Sequence, residues 1–445
     1  MSTYISETKT IMQIAIPLMA AFLVQKGMQL IDTIMMGWIG PEALAAGILS
    51  TTIAMLLLYF CMGTLSAVGI QIARARGANC NDQIPKILLH GVYIVIFLSI
   101  PCMLLIWIVP YLLSYFGKDQ VIVEKCIEFL HAIVWGTPGF LLFFLLREFV
   151  AAFSLTRMVM IVVLCVLPLT FIANYIFIYG KLGLPPLGVV GIGWAGSILM
   201  WLMFFSLFFY CKNESHVKMY FYFDKNIKID FRMIKEMLSI GIPSGLIFIA
   251  DSGMFAVGTF MVASFGVTTL AAQSIAMQIA SAVYAIPFGL SMAVALMIGN
   301  AMGAKNILRA KRIGYLGLGI SLIFATIIGS IFILFSEYII RIFLKPSVPD
   351  FLAINEIATK LFIIAGIFQA FDMMQAVMSG ALRGFKDTFI PFLMCSFCYW
   401  VIGVGSAYFL GFHTALGASG VWIGLTLGLM STSFVLLIRF MMRSS

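Results

Sequence analysis

Apolar residues run along this chain in long unbroken blocks, not in the alternation of a half-buried strand or the stripe of a surface helix. A hydrocarbon core about 30 Å thick takes about 20 such residues to cross as a helix. Segments of that kind lie at about 14–38, 46–72, 88–116, 127–152, 159–180, 189–211, 239–264, 270–298, 313–336, 357–380, 389–411 and 419–440. The pattern predicts an all-α integral membrane protein with twelve transmembrane helices. One long polar connection, 212–236, separates six segments from six, so the expected domains are an N-lobe (1–211), a linker (212–236) and a C-lobe (237–445).

The two sets of six are copies. Residues 16–47 align without gaps on 242–273, an offset of 226 that pairs Pro17 with Pro243, Gly27 with Gly253, Thr33 with Thr259, Gly40 with Gly266 and Leu44-Ala45-Ala46 with Leu270-Ala271-Ala272. The same offset carries Gly63 onto Gly289 and Gly77-Ala78 onto Gly303-Ala304; further on it becomes 229, pairing Gly188 and Gly191 with Gly417 and Gly420. Each copy has an even number of spans, so both enter the membrane in the same orientation. The expected symmetry is a pseudo-two-fold along the membrane normal, with a substrate route between the lobes. That predicts a secondary transporter. Pro17 and Pro243 free backbone carbonyls and are expected to let the first and seventh helices bend.

Charge orients the spans. Nineteen of the 27 basic residues, including Arg74, Arg76, six in the 212–236 connection (Lys212, Lys218, Lys225, Lys228, Arg232, Lys235), Arg309, Arg312 and Arg383, fall on one side. Lys118, Lys125, Lys181, Arg341 and Lys345 fall on the other. Positive charge marks the cytoplasmic face, so both termini are expected there. This bias also accounts for the net charge of +9 without nucleic acid. With 62% apolar and only 10% charged residues, the exterior must face lipid. The eight cysteines form no paired framework and read as small apolar residues. The polar N-terminus does not read as a removable signal peptide. An enzyme is disfavoured, since there is no nucleophile–base pair and the four histidines are scattered.

Ionisable residues deep in the spans are expensive and point to function. Asp32 in the first span has Gly258 as its repeat mate, Asp251 in the seventh has Gln25, and Asp372 in the tenth has Phe143. Lys26 is also deep, whereas Arg147 and Glu148 are expected to snorkel or pair locally. On helical spacing Gln25, Met28 and Asp32 form one inward stripe, Asp251 and Phe255 a second, and Phe368, Asp372, Gln375 and Ser379 a third. Carboxylates beside rings and thioethers suit lipophilic cations. Lys26 lies about 120° around the helix from Asp32, placed either to neutralise an acid across the cleft or to sit at a helix seam.

Three stretches, IDTIMMGWIG (31–40), NYIFIYGKLGLPPLGVVGIGWA (174–195) and GALRGFKDT (380–388), resemble the multidrug and toxin extrusion family in its NorM-like bacterial branch. The resemblance covers essentially the whole chain. It implies two six-helix lobes around a central cleft in the bacterial inner membrane. It also implies a monomer that exports cationic drug-like molecules by alternating access in exchange for Na⁺ or H⁺, with membrane lipid around it and no cofactor beyond the coupling ion. The family's first-helix acid falls on Asp32 and its fifth-helix Asn on Asn174, the pair that would hold Na⁺. A polar partner one turn earlier falls on Thr170. The sixth-helix Thr falls on Gly196, with Ser197 next to it, so this sequence departs from a full Na⁺ shell. The seventh-helix acid, usually Glu, is Asp251, and the tenth-helix Asp is Asp372. The aromatic before it, often Tyr, is Phe368. Lys26 replaces what is usually an uncharged residue. The rival reading, a lipid-linked oligosaccharide flippase, wants a basic cavity for a pyrophosphate; here three deep acids face one deep base.

Overall fold

The computed structural model describes residues 2–112, 120–221, 229–344 and 350–444. Lys118, Lys225, Lys228 and Lys345, and the stretch 222–228 of the expected linker, lie outside them. Among the described residues, twelve helices are long and apolar enough to span a membrane. They are α1 (Tyr4–Ile39), α2 (Pro41–Gly77), α3 (Asn81–Leu112), α4 (Gln120–Ala152), α5 (Arg157–Tyr179), α6 (Val189–Asn213), α7 (Phe231–Ala263), α8 (Val267–Gly303), α9 (Ile307–Leu334), α10 (Phe351–Gly384), α11 (Phe389–Phe412) and α12 (Ala418–Ser444). No strand occurs among the described residues. A membrane leaves little alternative, because every backbone amide crossing hydrocarbon must find its partner within the chain.

Several helices run well past the apolar blocks that announce them. α1 begins ten residues before position 14, and α7 eight before 239. An apolar run measures the depth of lipid, whereas the helix continues as long as its polar end is satisfied. For α1 that end is held by Glu7, a buried carboxylate 2.7 Å from Arg312 and 3.6 Å from Arg309. The Arg312 guanidinium also lies over the Tyr4 ring, 5.4 Å from its centroid.

The chain divides into two compact units, one of residues 16–245 and one of 1–15 with 246–445. Each unit therefore contains the start of a helix whose remainder belongs to the other. In the first unit the start of α7 is seated on α2 and α3. A Cβ on Gly241 would meet the Thr64 carbonyl oxygen at 2.2 Å, so only glycine permits that approach. The backbone N–H of Asp230 donates to His90 Nε2 at 2.8 Å, leaving His90 Nδ1, 2.6 Å from the Lys86 carbonyl, as the protonated nitrogen. In the second unit the start of α1 is held by the Glu7 pairs. The division falls two residues before Pro17 and two after Pro243, the matched prolines of the repeat.

The repeat survives in the backbone. Gly40 and Gly266, which open α2 and α8, both have positive φ (148° and 106°), as do Gly188 and Gly417 before α6 and α12 (56° and 53°). Asn79 and Lys305, also 226 apart, share φ 57° although neither is glycine. Thr33 and Thr259 each donate to the carbonyl four residues back, at 2.9 and 3.0 Å. Arg147 and Glu148 are buried and sit 3.7 Å apart, with the guanidinium 4.1 Å from the Phe144 ring centroid. They pair locally and do not snorkel, because α4 is enclosed by its neighbours at that depth.

The seat of α7 is open to a direct measurement. Gly241→Ala is expected to destabilise the purified protein by about 2 kcal/mol or more, through overpacking against backbone that cannot yield. Gly37→Ala, whose Cβ meets nothing within 4 Å, is the control and keeps the wild-type melting midpoint. Equal midpoints for the two variants would show that the α2–α7 contact is not there.

Candidate functional site

In the unit of residues 16–245, α1, α2, α4, α5 and α6 surround a cavity of about 100 Å³. α1 gives it Phe22, Gln25, Lys26, Met28, Gln29 and Asp32; α5 gives Thr170 and α6 gives Gly196. Five of the lining residues are methionines, Met28, Met55, Met62, Met200 and Met203, which make a soft and adaptable apolar wall. The volume is below the ~300 Å³ at which drug-sized ligands are usually housed and ample for a small ion with water.

Asp32 is the acidic group in this wall. Its Oδ1 accepts from the Asn174 side-chain N–H at 2.7 Å. Asn174 is buried on α5, and its own oxygen, Oδ1, has no hydrogen-bond partner among the described residues. An acceptor left bare beside a carboxylate costs about 1–3 kcal/mol unless a cation or a proton lies between the two. Thr170, one turn earlier on α5, donates to the Val166 carbonyl at 3.0 Å, which leaves its oxygen lone pairs available to the cavity. α6 adds nothing comparable. Gly196 has no side chain, and the Ser197 hydroxyl is spent on the Ala132 carbonyl at 2.7 Å.

Lys26 shares the cavity. Its ammonium donates to the Tyr59 hydroxyl at 3.3 Å and lies 5.7 Å from the Phe22 ring centroid. Tyr59 and Gln29 are the residues that sequence reasoning passed over. Gln29 lies three before Asp32 on the same helical face, a signal that was there to read; its side-chain N–H reaches Met55 Sδ at 3.3 Å. Tyr59 on α2 carried no local signal.

The second cluster lies in the other unit. Asp372 on α10 accepts from the Gln375 side-chain N–H at 3.3 Å, and Gln375 Oε1 accepts from the Tyr399 hydroxyl at 2.7 Å. Tyr399 is fully buried in a π-helical stretch of α11, Cys398–Val404, a wider turn of the kind often found at functional sites. Asp251 on α7 lies within electrostatic reach of Asp372, and its Oδ1 is buried without a hydrogen-bond partner among the described residues. Phe255, one turn beyond Asp251, meets Phe368 edge-on at 5.7 Å, and Phe368 in turn lies 6.1 Å from Trp422. The structure thus brings Asp251, Asp372, Gln375, Phe255 and Phe368 into one cluster and Asp32, Asn174, Thr170, Gln25, Lys26 and Met28 into another. Tyr399 and Trp422 join the first of these without having been expected.

Comparison with known proteins agrees with this architecture. A multidrug resistance protein NorM of Photobacterium profundum is 30% identical over 443 residues, covering 99% of this chain and 96% of that protein. A probable multidrug resistance protein NorM of Pseudomonas syringae pv. tomato is 34% identical over 430 residues, 97% of this chain and 94% of its own. Among solved structures, an outward-facing multidrug resistance MATE family transporter of the MOP superfamily superposes with a TM-score of 0.89 at 22% identity, over 98% of this chain and 96% of the other. A eukaryotic MATE transporter gives 0.86 at 20% identity, over 99% and 98%. The MatE family model matches twice, at residues 17–176 and 243–409, once in each copy of the repeat. The chain is a multi-span membrane protein that belongs to the MatE family.

Proposed function

We propose that this protein is a cation-coupled exporter of cationic amphipathic compounds, working by alternating access of its two lobes with both termini in the cytoplasm of a bacterial cell. The observation that carries the coupling is the Asp32–Asn174 pair, with one amide oxygen buried and unanswered beside a carboxylate. A cation satisfies both groups at once. Na⁺ would find the two Asp32 oxygens, Asn174 Oδ1 and the Thr170 hydroxyl, a hard oxygen set that suits a hard cation. A proton would serve as well, because protonated Asp32 becomes a donor to the bare oxygen. Water completes the shell on the side where Gly196 offers nothing.

The second cluster suits the cargo. Two carboxylates within reach of one another favour a positive guest, and the Phe255, Phe368 and Trp422 rings packed together nearby are of the kind that attracts an organic cation. The relatives' description as multidrug resistance proteins supports export of such compounds. Their match to this chain over nearly its full length supports a bacterial inner-membrane location.

The test is ethidium efflux from proteoliposomes under a Na⁺ gradient alone and then a pH gradient alone. Asp32→Asn is expected to abolish the response to whichever gradient drives the wild type, at unchanged levels of folded protein. Asn174→Ala is expected to raise the half-saturating concentration of that cation about tenfold, the equivalent of one lost charge-assisted contact. Drive that persists in Asp32→Asn would remove Asp32 from the mechanism. In the other cluster, Tyr399→Phe leaves Gln375 Oε1 without its donor and is expected to slow efflux several-fold while the protein still folds. Wild-type rates in Tyr399→Phe would make the π-helical network a packing feature only.

A further inference from the structure

Lys26 is the charged residue of the first cavity that cation coupling leaves without a task. It stands 13 residues from the Ile39 end of α1, about 20 Å along the helix, where an ammonium is costly. Its neighbours are a phenol oxygen at 3.3 Å and a ring centroid at 5.7 Å, and it forms no ion pair with a described residue. Neither contact returns a full countercharge. The titratable groups facing the cavity are Asp32 and Lys26 from α1 and Tyr59 from α2; α4, α5 and α6 face it with apolar, thioether and hydroxyl groups. Asp32 is therefore the carboxylate available to answer Lys26. Six residues of helix set the two about 9 Å apart along the axis, beyond contact but within Coulombic range.

We propose that Lys26 is a resident cation of the Asp32 site, a fixed charge that opposes the arriving coupling ion and sets the site's affinity for it. This rests on the coupling role of Asp32 given above. With the site empty, Lys26 and Asp32 leave the cavity neutral, so the cation-free lobe carries no stranded carboxylate. With a cation bound, the cavity holds a net positive charge, and the ion is held weakly enough to leave on the other side. Lys26 is an affinity-setting residue, distinct from the oxygen ligands, because it acts only through its charge. Two unit charges at this separation, in a medium of effective dielectric constant about 20, alter affinity by about twentyfold.

The experiment is the same ethidium efflux assay, read as the half-saturating concentration of the driving cation, with Na⁺ at fixed pH and protons without Na⁺. Lys26→Met is expected to lower that concentration about twentyfold, and Lys26→Gln to do the same should the methionine variant not fold. Lys26→Arg, which keeps the charge, is expected to stay within about twofold of wild type. The inference is overturned if Met and Gln leave half-saturation unchanged, or if Arg shifts it as far as they do. Wild-type transport that responds to neither gradient overturns the coupling role itself, and this inference with it.

Discussion

A carboxylate inside hydrocarbon has to be answered, and the arrangement of the first lobe follows from how Asp32 is answered. Asn174 supplies one N–H at 2.7 Å, and its own oxygen is then left bare. The rest of the lobe holds these two groups together while keeping a small space open beside them. Close packing of α6 on α4 forms the back wall: a Cβ on Gly136 would strike the Ser197 backbone at 2.7 Å, and the Ser197 hydroxyl is pinned to Ala132. That register turns Gly196, and not Ser197, toward the cavity. The missing ligand on α6 is thus a consequence of packing, not of polar residues being scarce in the helix.

The gene duplication written in the sequence copied a backbone and not a site. Matched positions keep their unusual φ even where the residue changes, as Asn79 and Lys305 do at 57°. Chain geometry is held by turns and helix starts, which tolerate few substitutions. Side chains on the inward faces are under no such restriction. The first lobe answers one acid with an amide, whereas the second places two acids near a chain of amide and phenol that begins in a π-helical turn.

How much was legible follows the same division. Twelve spans, the repeat and the deep acids could all be read, because lipid imposes a length on apolar runs and a penalty on charge. Helix ends could not, since polar turns such as the start of α1 extend beyond the lipid for reasons that lie elsewhere in the chain, in Arg309 and Arg312. The stripe on α1 was visible from spacing, although Gln29 was left out of it. Tyr59 and Tyr399 were not visible: each joins its cluster through a contact from another helix, and the wide turn that aims Tyr399 leaves no periodicity to detect. Family resemblance pointed to Asn174, and hydrogen-bond geometry then gave that residue a physical role.

Charge separates the two lobes more sharply than shape does. The first cavity contains one acid and one base, Asp32 and Lys26, and is neutral when empty. The second cluster has Asp251 and Asp372 with no basic residue in its hydrogen-bonded network among the described residues. By Coulomb's law alone, the second attracts positive charge more strongly than the first. An exporter that must let go of its driving ion at every turnover gains from a weak site, since tight binding of that ion would stall the cycle in its bound state. On the proposed reading, a lysine beside Asp32 makes such a site weak without altering any of the oxygens that define it.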